Sequence, residues 1–229
     1  MFAVISAMPL EMETLRDVMQ DCEKVEDTPF DMVIGTLNGK KLITAICGPG
    51  KVNSALCTQE LILRHKPEGI INTGVAGALA SDLTVGNLII GTYAVQHDMD
   101  TSPLGDPVGY VSGVGMVRFP CDEKLVSVCE AALAKLPELH GRRGVIASGD
   151  QFICSSEEKN RIVSQFAADC CEMEGGAIAH ACILYGMPCV FMRAMSDQAD
   201  GEATMSYPTF ARMAADNTVK LLTEVMKAL

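Results

Sequence analysis

The chain is short of positive charge. Its 229 residues carry 18 Lys and Arg against 29 Asp and Glu, a formal net charge of −11. Neutralising phosphates requires clustered Lys and Arg, and no basic run occurs. Non-specific nucleic-acid binding and attachment to anionic membranes are therefore not expected. No stretch approaches the roughly 18 consecutive apolar residues of a transmembrane helix. Met1–Ser6 has no positive n-region and reads as a first strand, which leads to the expectation of a cytoplasmic protein. No Cys-x-x-Cys pair accompanies the ten cysteines, so zinc-ribbon spacing is missing. Most of them sit in apolar runs and read as buried free thiols in a reducing compartment. A Gly-x-Ser-x-Gly elbow is also missing, and no Cys has an evident His partner for nucleophilic catalysis.

What is present is ordinary globular material, 48% hydrophobic and 21% charged. At about 150 residues per domain the length allows one large or two small domains. No linker, repeat or low-complexity tract divides the chain, so one domain over residues 1–229 is expected. Continuous β-branched runs predict strands buried on both faces at Phe2–Ala7, Met32–Leu37, Leu42–Cys47, Gly69–Gly74, Asn87–Val95, Gly144–Ser148 and Cys189–Met195. Asn38-Gly39 predicts a hairpin between the second and third. Helical patterns fall at Glu11–Met19, Val52–Arg64, Glu123–Lys135, Glu157–Phe166, Glu174–Tyr185 and Thr209–Leu229. Pro103–Gly115 reads as a long surface loop. The alternation implies an α/β fold: three layers, with helices flanking a mixed central sheet that is largely parallel, with an antiparallel excursion at the hairpin.

Ligands in such folds bind beyond the carboxyl ends of strands, which focuses attention on five places, the last of them a pair of segments. Glu11 follows the first strand, either as a site carboxylate or as an acid complementing the helix dipole. Gly48-Pro49-Gly50-Lys51 matches neither a dinucleotide fingerprint nor a P-loop, and reads as a tight turn or a close approach to a ligand. Val75, Ala76 and Gly77 are small enough either for ligand contact or for close strand packing. Gln151, Phe152 and Ile153 follow another strand, and Phe152 could stack on a flat ring or lie in the core. Glu172, Met173 and Glu174 open a small-residue helix. Arg193, Ser196 and Asp197 end a buried strand, as a site or as a structural Arg193–Asp197 ion pair. His97-Asp98-x-Asp100 offers three potential metal ligands too close in sequence to converge easily on one ion.

Together the segments ISAMPLE, GPGKVNSA, INTGVAGAL, SGDQFI, CCEMEGGAIAHAC and FMRAMSDQAD resemble, in order and spacing, the bacterial 5'-methylthioadenosine/S-adenosylhomocysteine nucleosidases of the nucleoside phosphorylase superfamily. The resemblance runs from residue 2 into the terminal helix. It implies hydrolysis of the N-glycosidic bond of 5'-thioadenosines, and of 5'-deoxyadenosine, with neither cofactor nor metal. Glu11 would be the base activating water, and Asp197, oriented by Ser196, the acid at adenine N7. Glu174 would hold the ribose hydroxyls over Met173, with Arg193 helping to hold the water near Glu11. Phe152 would stack on adenine and the backbone of Ile153 would read its edge. Met8 and Tyr207 would line the 5' pocket.

The resemblance further implies a homodimer in which the loop around Leu104 closes the partner's 5' pocket, although that loop departs from the family pattern. Val75 stands where a serine is often found. Bacterial phosphorylases of the superfamily place arginines after the first strand and before the glycine-rich turn, stretches that here read SAMPLEME and IINTGVAG. Hydrolysis is thus expected over phosphorolysis. A futalosine-type nucleoside hydrolase, a purine nucleoside phosphorylase and a non-catalytic nucleoside sensor are the alternatives.

Overall fold

A computed structural model describes residues 1–229. Ten strands join one sheet. β1 (Phe2–Ser6) lies parallel to β4 (Lys40–Ile46) and to β5 (Ile70–Ala78). Asn38 and Gly39, at φ +52° and +74°, turn β3 (Asp31–Leu37) into β4 as the predicted hairpin. β2 (Gln20–Lys24) pairs with β3 at the edge. β5 also runs parallel to β10 (Cys189–Asp197), which pairs antiparallel with β6 (Leu88–Gln96). β6 continues to β8 (Gly141–Ser148), β8 to the three-residue β9 (Cys170–Glu172), and β9 back to β5. These five strands close into a ring, and the two-residue β7 (Phe119–Pro120) pairs with β6 outside it.

Alternate residues of each strand feed opposite faces. Ile5, Ile70, Ile89 and Phe191 belong to one core cluster, and their neighbours Val4, Ile71, Ile90 and Met192 to another. The first is covered by α2 (Lys51–Glu60, prolonged by a π-type turn over Leu61–His65) and α5 (Gly175–Tyr185). The second is covered by α1 (Pro9–Val18), α3 (Glu123–Leu133) and α6 (Ala203–Ala228). A smaller third cluster lies under α4 (Ser156–Phe166). Burial on both faces is why the strand runs are continuously apolar. Seven cysteines are buried free thiols, while Cys121 and Cys154 are half-buried and Cys22 is exposed.

Several boundaries differ from the sequence expectation. The glycine-rich stretch to Ala78 is not a turn beyond β5 but its continuation, because β10 and β9 supply hydrogen-bonding partners there. α6 begins six residues before Thr209 and contains Pro208. Pro208 removes one backbone hydrogen bond near the helix start. β2 was not predicted because its five residues are all exposed and carry no apolar pattern. β7 and β9 are too short for any periodicity. The 103–115 loop is irregular apart from a 3-10 turn at Ser102–Leu104 and a bridge from Val111 to Met116. No helix is long and apolar enough to cross a membrane.

Candidate active site

The strand ends of β1, β5, β9 and β10 surround a cleft of about 200 Å³, and a recess of about 40 Å³ adjoins it beside Gln151 and Ile153. Four carboxylates reach the cleft wall, from Glu11, Glu172, Glu174 and Asp197, and no Lys or Arg lines it.

Glu11 sits in the first turn of α1 and is 3% exposed. One carboxylate oxygen accepts the N–H groups of Ala7 and Met8, each at 3.0 Å, and the other accepts that of Val75 at 2.9 Å. The first two contacts are local to the helix start. The third comes from β5, so Glu11 does more than complement the helix dipole. Burial raises its pKa, while the Val75 N–H, the Arg193 charge and the other two donors oppose the rise. Gly74 makes room for this carboxylate, since a Cβ there would stand 2.6 Å from Glu11 Oε1. Val75 thus contributes its backbone N–H, which any residue but proline could supply.

Glu172 and Glu174 flank Met173 at the turn from β9 into α5, yet they differ sharply. Glu172 accepts from Arg193 Nη2 at 2.5 Å, from the Gly175 N–H at 2.8 Å, from the Glu174 N–H and from the Ser148 hydroxyl. Its oxygens are thus occupied by the protein. Glu174 accepts one hydrogen bond, from the Gly50 N–H at 2.9 Å. Burial first, and then repulsion from Glu172, push its pKa up to about 8. One oxygen of Glu174 has no protein donor and is available to a ligand hydroxyl.

Arg193, fully buried, pairs with Glu172 and Asn72, not with Asp197 and not with Glu11. The Arg193–Asp197 ion pair weighed from sequence does not form. Arg193 finds its partner on β9, while Asp197, beyond a register shift in β10, is held by Ser196 and Ala199. Asn72 completes the link by donating to the Ile5 carbonyl at 2.9 Å, which ties β5 to β1.

Asp197 is buried at the end of β10. One oxygen accepts the Ala199 N–H and the other the Ser196 hydroxyl, both at 2.8 Å. Burial raises its pKa against these two donors. A Cβ at Gly77 would come within 2.9 Å of its Oδ1, so glycine is required by this close approach. Ala76, also on the cleft wall, faces Ser196 through its carbonyl at 3.3 Å.

The outer wall is apolar. Phe152, 45% exposed, meets the Tyr207 ring edge-on at a centroid distance of 5.8 Å. The Tyr207 hydroxyl lies 3.2 Å from Met8 Sδ. Leu104 is 84% exposed and does not line the cleft within this chain. The sequence reading passed over Asn72, Ser148 and Gly50, though all three lie in segments it singled out. A polar residue inside an apolar strand, as in IINTG, is the signal that could have found Asn72. Asp98 of the weighed metal segment is engaged by Lys51 Nζ at 2.7 Å and by the Asp150 N–H at 2.9 Å.

Comparison with known proteins identifies the family. The family model of the phosphorylase superfamily matches residues 1–227. A 5'-methylthioadenosine/S-adenosylhomocysteine nucleosidase of Geobacillus thermodenitrificans is 36% identical over 225 residues, covering 98% of this chain and 95% of its own. The nucleosidase of that name from Neisseria meningitidis, solved in complex with methylthio-immucillin-A, superposes with a TM-score of 0.96 at 37% identity over 100% of this chain and 99% of that one. A futalosine hydrolase of Helicobacter pylori superposes with a TM-score of 0.95 at 32% identity, covering 100% and 97%.

Proposed function

The chain belongs to the phosphorylase superfamily, and we propose that it hydrolyses the N-glycosidic bond of 5'-methylthioadenosine and S-adenosylhomocysteine, and of 5'-deoxyadenosine. The observation that carries this reading is one cleft holding two buried carboxylates on separate elements, Glu11 fixed by three N–H donors and Asp197 by the Ser196 hydroxyl and the Ala199 N–H.

Breaking the bond between C1' of the ribose and N9 of adenine sends its electron pair to the base and leaves positive charge on the sugar. Asp197 delivers its proton to N7, and Ser196 orients it. A water oxygen bonds to C1', and Glu11 takes a proton from that water. The products are adenine and the 5'-substituted ribose. Acid–base assistance of this type is worth about 10²–10⁴-fold. Glu174 holds the 2'- and 3'-hydroxyls above Met173, while ionised Glu11 supplies the negative charge that stabilises the cationic sugar. Phe152 stacks on the base, Ile153 offers its backbone to the base edge beside Gln151, and Met8 and Tyr207 surround the 5' substituent. Arg193 acts through Glu172, holding the β9–α5 turn that positions Glu174.

Phosphorolysis fits poorly. A phosphate dianion would enter a cleft walled by four carboxylates, and the nearest guanidinium, Arg193, is committed to Glu172 and Asn72. Incubation with methylthioadenosine should release adenine and free methylthioribose at a rate indifferent to phosphate. Phosphate-dependent formation of 5-methylthioribose 1-phosphate would overturn the reading. The likeness to a futalosine hydrolase supports a second substrate class, since only the 5' wall need differ. Turnover compared across 5'-methylthio, homocysteinyl, deoxy and futalosine-type nucleosides decides between them.

Residues 1–229 would act as one cytoplasmic domain paired in a homodimer. The exposed Leu104 would close the partner's 5' pocket, to which one chain contributes Met8 and Tyr207.

A further inference from the structure

Outside the cleft wall, three residues from three separate elements form a closed hydrogen-bonded ring. Lys51 Nζ donates to Asp98 Oδ1 at 2.7 Å. The other oxygen of Asp98 accepts the Asp150 N–H at 2.9 Å. Asp150 Oδ1 accepts the backbone N–H of Lys51 at 2.7 Å, which returns to the start. Lys51 opens α2, Asp98 follows β6 and Asp150 follows β8.

The ring touches both halves of the proposed site without entering the cleft. On one side, Gly50 precedes Lys51 and donates the single N–H that Glu174 accepts. Gly50 holds φ +95° and ψ 164°, a conformation open essentially to glycine alone. A Cβ there would also lie 3.0 Å from Asp150 Oδ1. A second path runs from Lys51 Nζ to Gln96 Oε1 at 3.3 Å, and from Gln96 to the Gly176 carbonyl in the first turn of the helix that Glu174 caps. On the other side, Asp150 stands two residues before Phe152. Gly149, just ahead of it, packs so closely on the buried His97 ring that a Cβ would fall 2.5 Å from it. The N–H groups at the start of α2 therefore hold two carboxylates, Glu174 and Asp150, in fixed relation, as a helix N-terminus favours.

We infer that Lys51, Asp98 and Asp150 are positioning residues which fix the ribose anchor Glu174 relative to the base shelf at Phe152 and Ile153. The nucleoside then meets both at their correct separation. This rests on the proposed nucleosidase reading. Removing the ammonium frees Asp98, loosens Asp150 and lets the Gly50 N–H drift from Glu174.

The test compares Lys51→Met with the wild type on three readouts: kcat and KM for methylthioadenosine, affinity for adenine alone, and affinity for a non-hydrolysable C-nucleoside analogue of methylthioadenosine. Misplacement at a distance from the chemistry is expected to weaken binding of the nucleoside analogue by about tenfold. KM should rise by a similar factor, kcat should change less, and adenine affinity should fall less than nucleoside affinity. Lys51→Arg, which keeps a cationic donor, should recover most of the loss. If Lys51→Met does not fold, Asp98→Asn serves, since it keeps the acceptor for the Asp150 N–H while weakening the hold on Lys51. An active wild type with unchanged KM in the variant, or equal loss of adenine and nucleoside affinity, overturns the inference. A wild type inactive on every nucleoside overturns the parent reading instead.

Discussion

The floor of the cleft and its rim are built on different principles. Floor groups sit on or beside buried strand ends, and three of the four carboxylates there are held at both oxygens: Glu11 has three N–H donors, Glu172 has Arg193 and Gly175, and Asp197 has Ser196 and Ala199. The rim is apolar and half-exposed, formed by Phe152, Met8 and Tyr207, and linked by an edge-on ring contact and one weak O–H···S bond. A rigid polar floor suits a reaction whose charges must be met without reorganisation. An apolar rim suits recognition of a flat base and a thioether, and it can change substrate without disturbing the chemistry. Rate should therefore live in the floor and selectivity in the rim.

The largest effect expected is at Glu11. Glu11→Gln keeps the shape but cannot accept a proton, so kcat should fall by about 10²–10⁴-fold with little change in KM. A variant that loses only affinity would move Glu11 from chemistry to binding and blur the contrast. Arg193→Met tests whether the floor is held by its ion pair. Truncating one partner of a buried pair leaves the other uncompensated, at a cost of about 3–5 kcal/mol, so a chemical melt should show a marked loss of stability. A neutral result would mean that Glu172 is held by Gly175 and Ser148 alone.

Glu174 offers a test through pH. Its ordinary carboxylate value is 4.5, and in the fold it is pushed up to about 8. The folded protein therefore holds this proton more tightly than the unfolded chain does. The associated stability is complete below pH 4.5 and is lost as pH rises through about 8. Thermal melts of wild type and Glu174→Gln should diverge across that window, with the variant losing less. Parallel curves would show that Glu174 titrates as an ordinary carboxylate. The smallest effect belongs to the rim. Phe152→Ala removes a stacking surface worth about 1–3 kcal/mol, so KM should rise while kcat stays near the wild-type value. A drop confined to kcat would give the rim a share in the chemistry.

The same division governs how much could be read from the sequence. The helices, the Asn38-Gly39 hairpin and the floor carboxylates were legible, because strand-end position and residue type locate them. The partners of those carboxylates were not. Arg193 finds Glu172 across 21 positions, and only the β8–β9–β5–β10 closure brings them together. Val75 drew attention through its side chain, yet its backbone N–H is what reaches Glu11. β2 escaped because an edge strand of five exposed residues has no apolar period. Leu104 remained a matter of resemblance, because one chain gives it nothing to touch in the cleft.

The central claim is that Asp197 supplies a proton to the departing base. The most direct measurement compares wild type and Asp197→Asn on two substrates: methylthioadenosine, and a p-nitrophenyl 5-methylthioriboside whose leaving group departs without protonation. Turnover of methylthioadenosine should fall by about 10²–10⁴-fold in the variant, with turnover of the p-nitrophenyl substrate nearly unchanged. Equal loss on both substrates would contradict the claim.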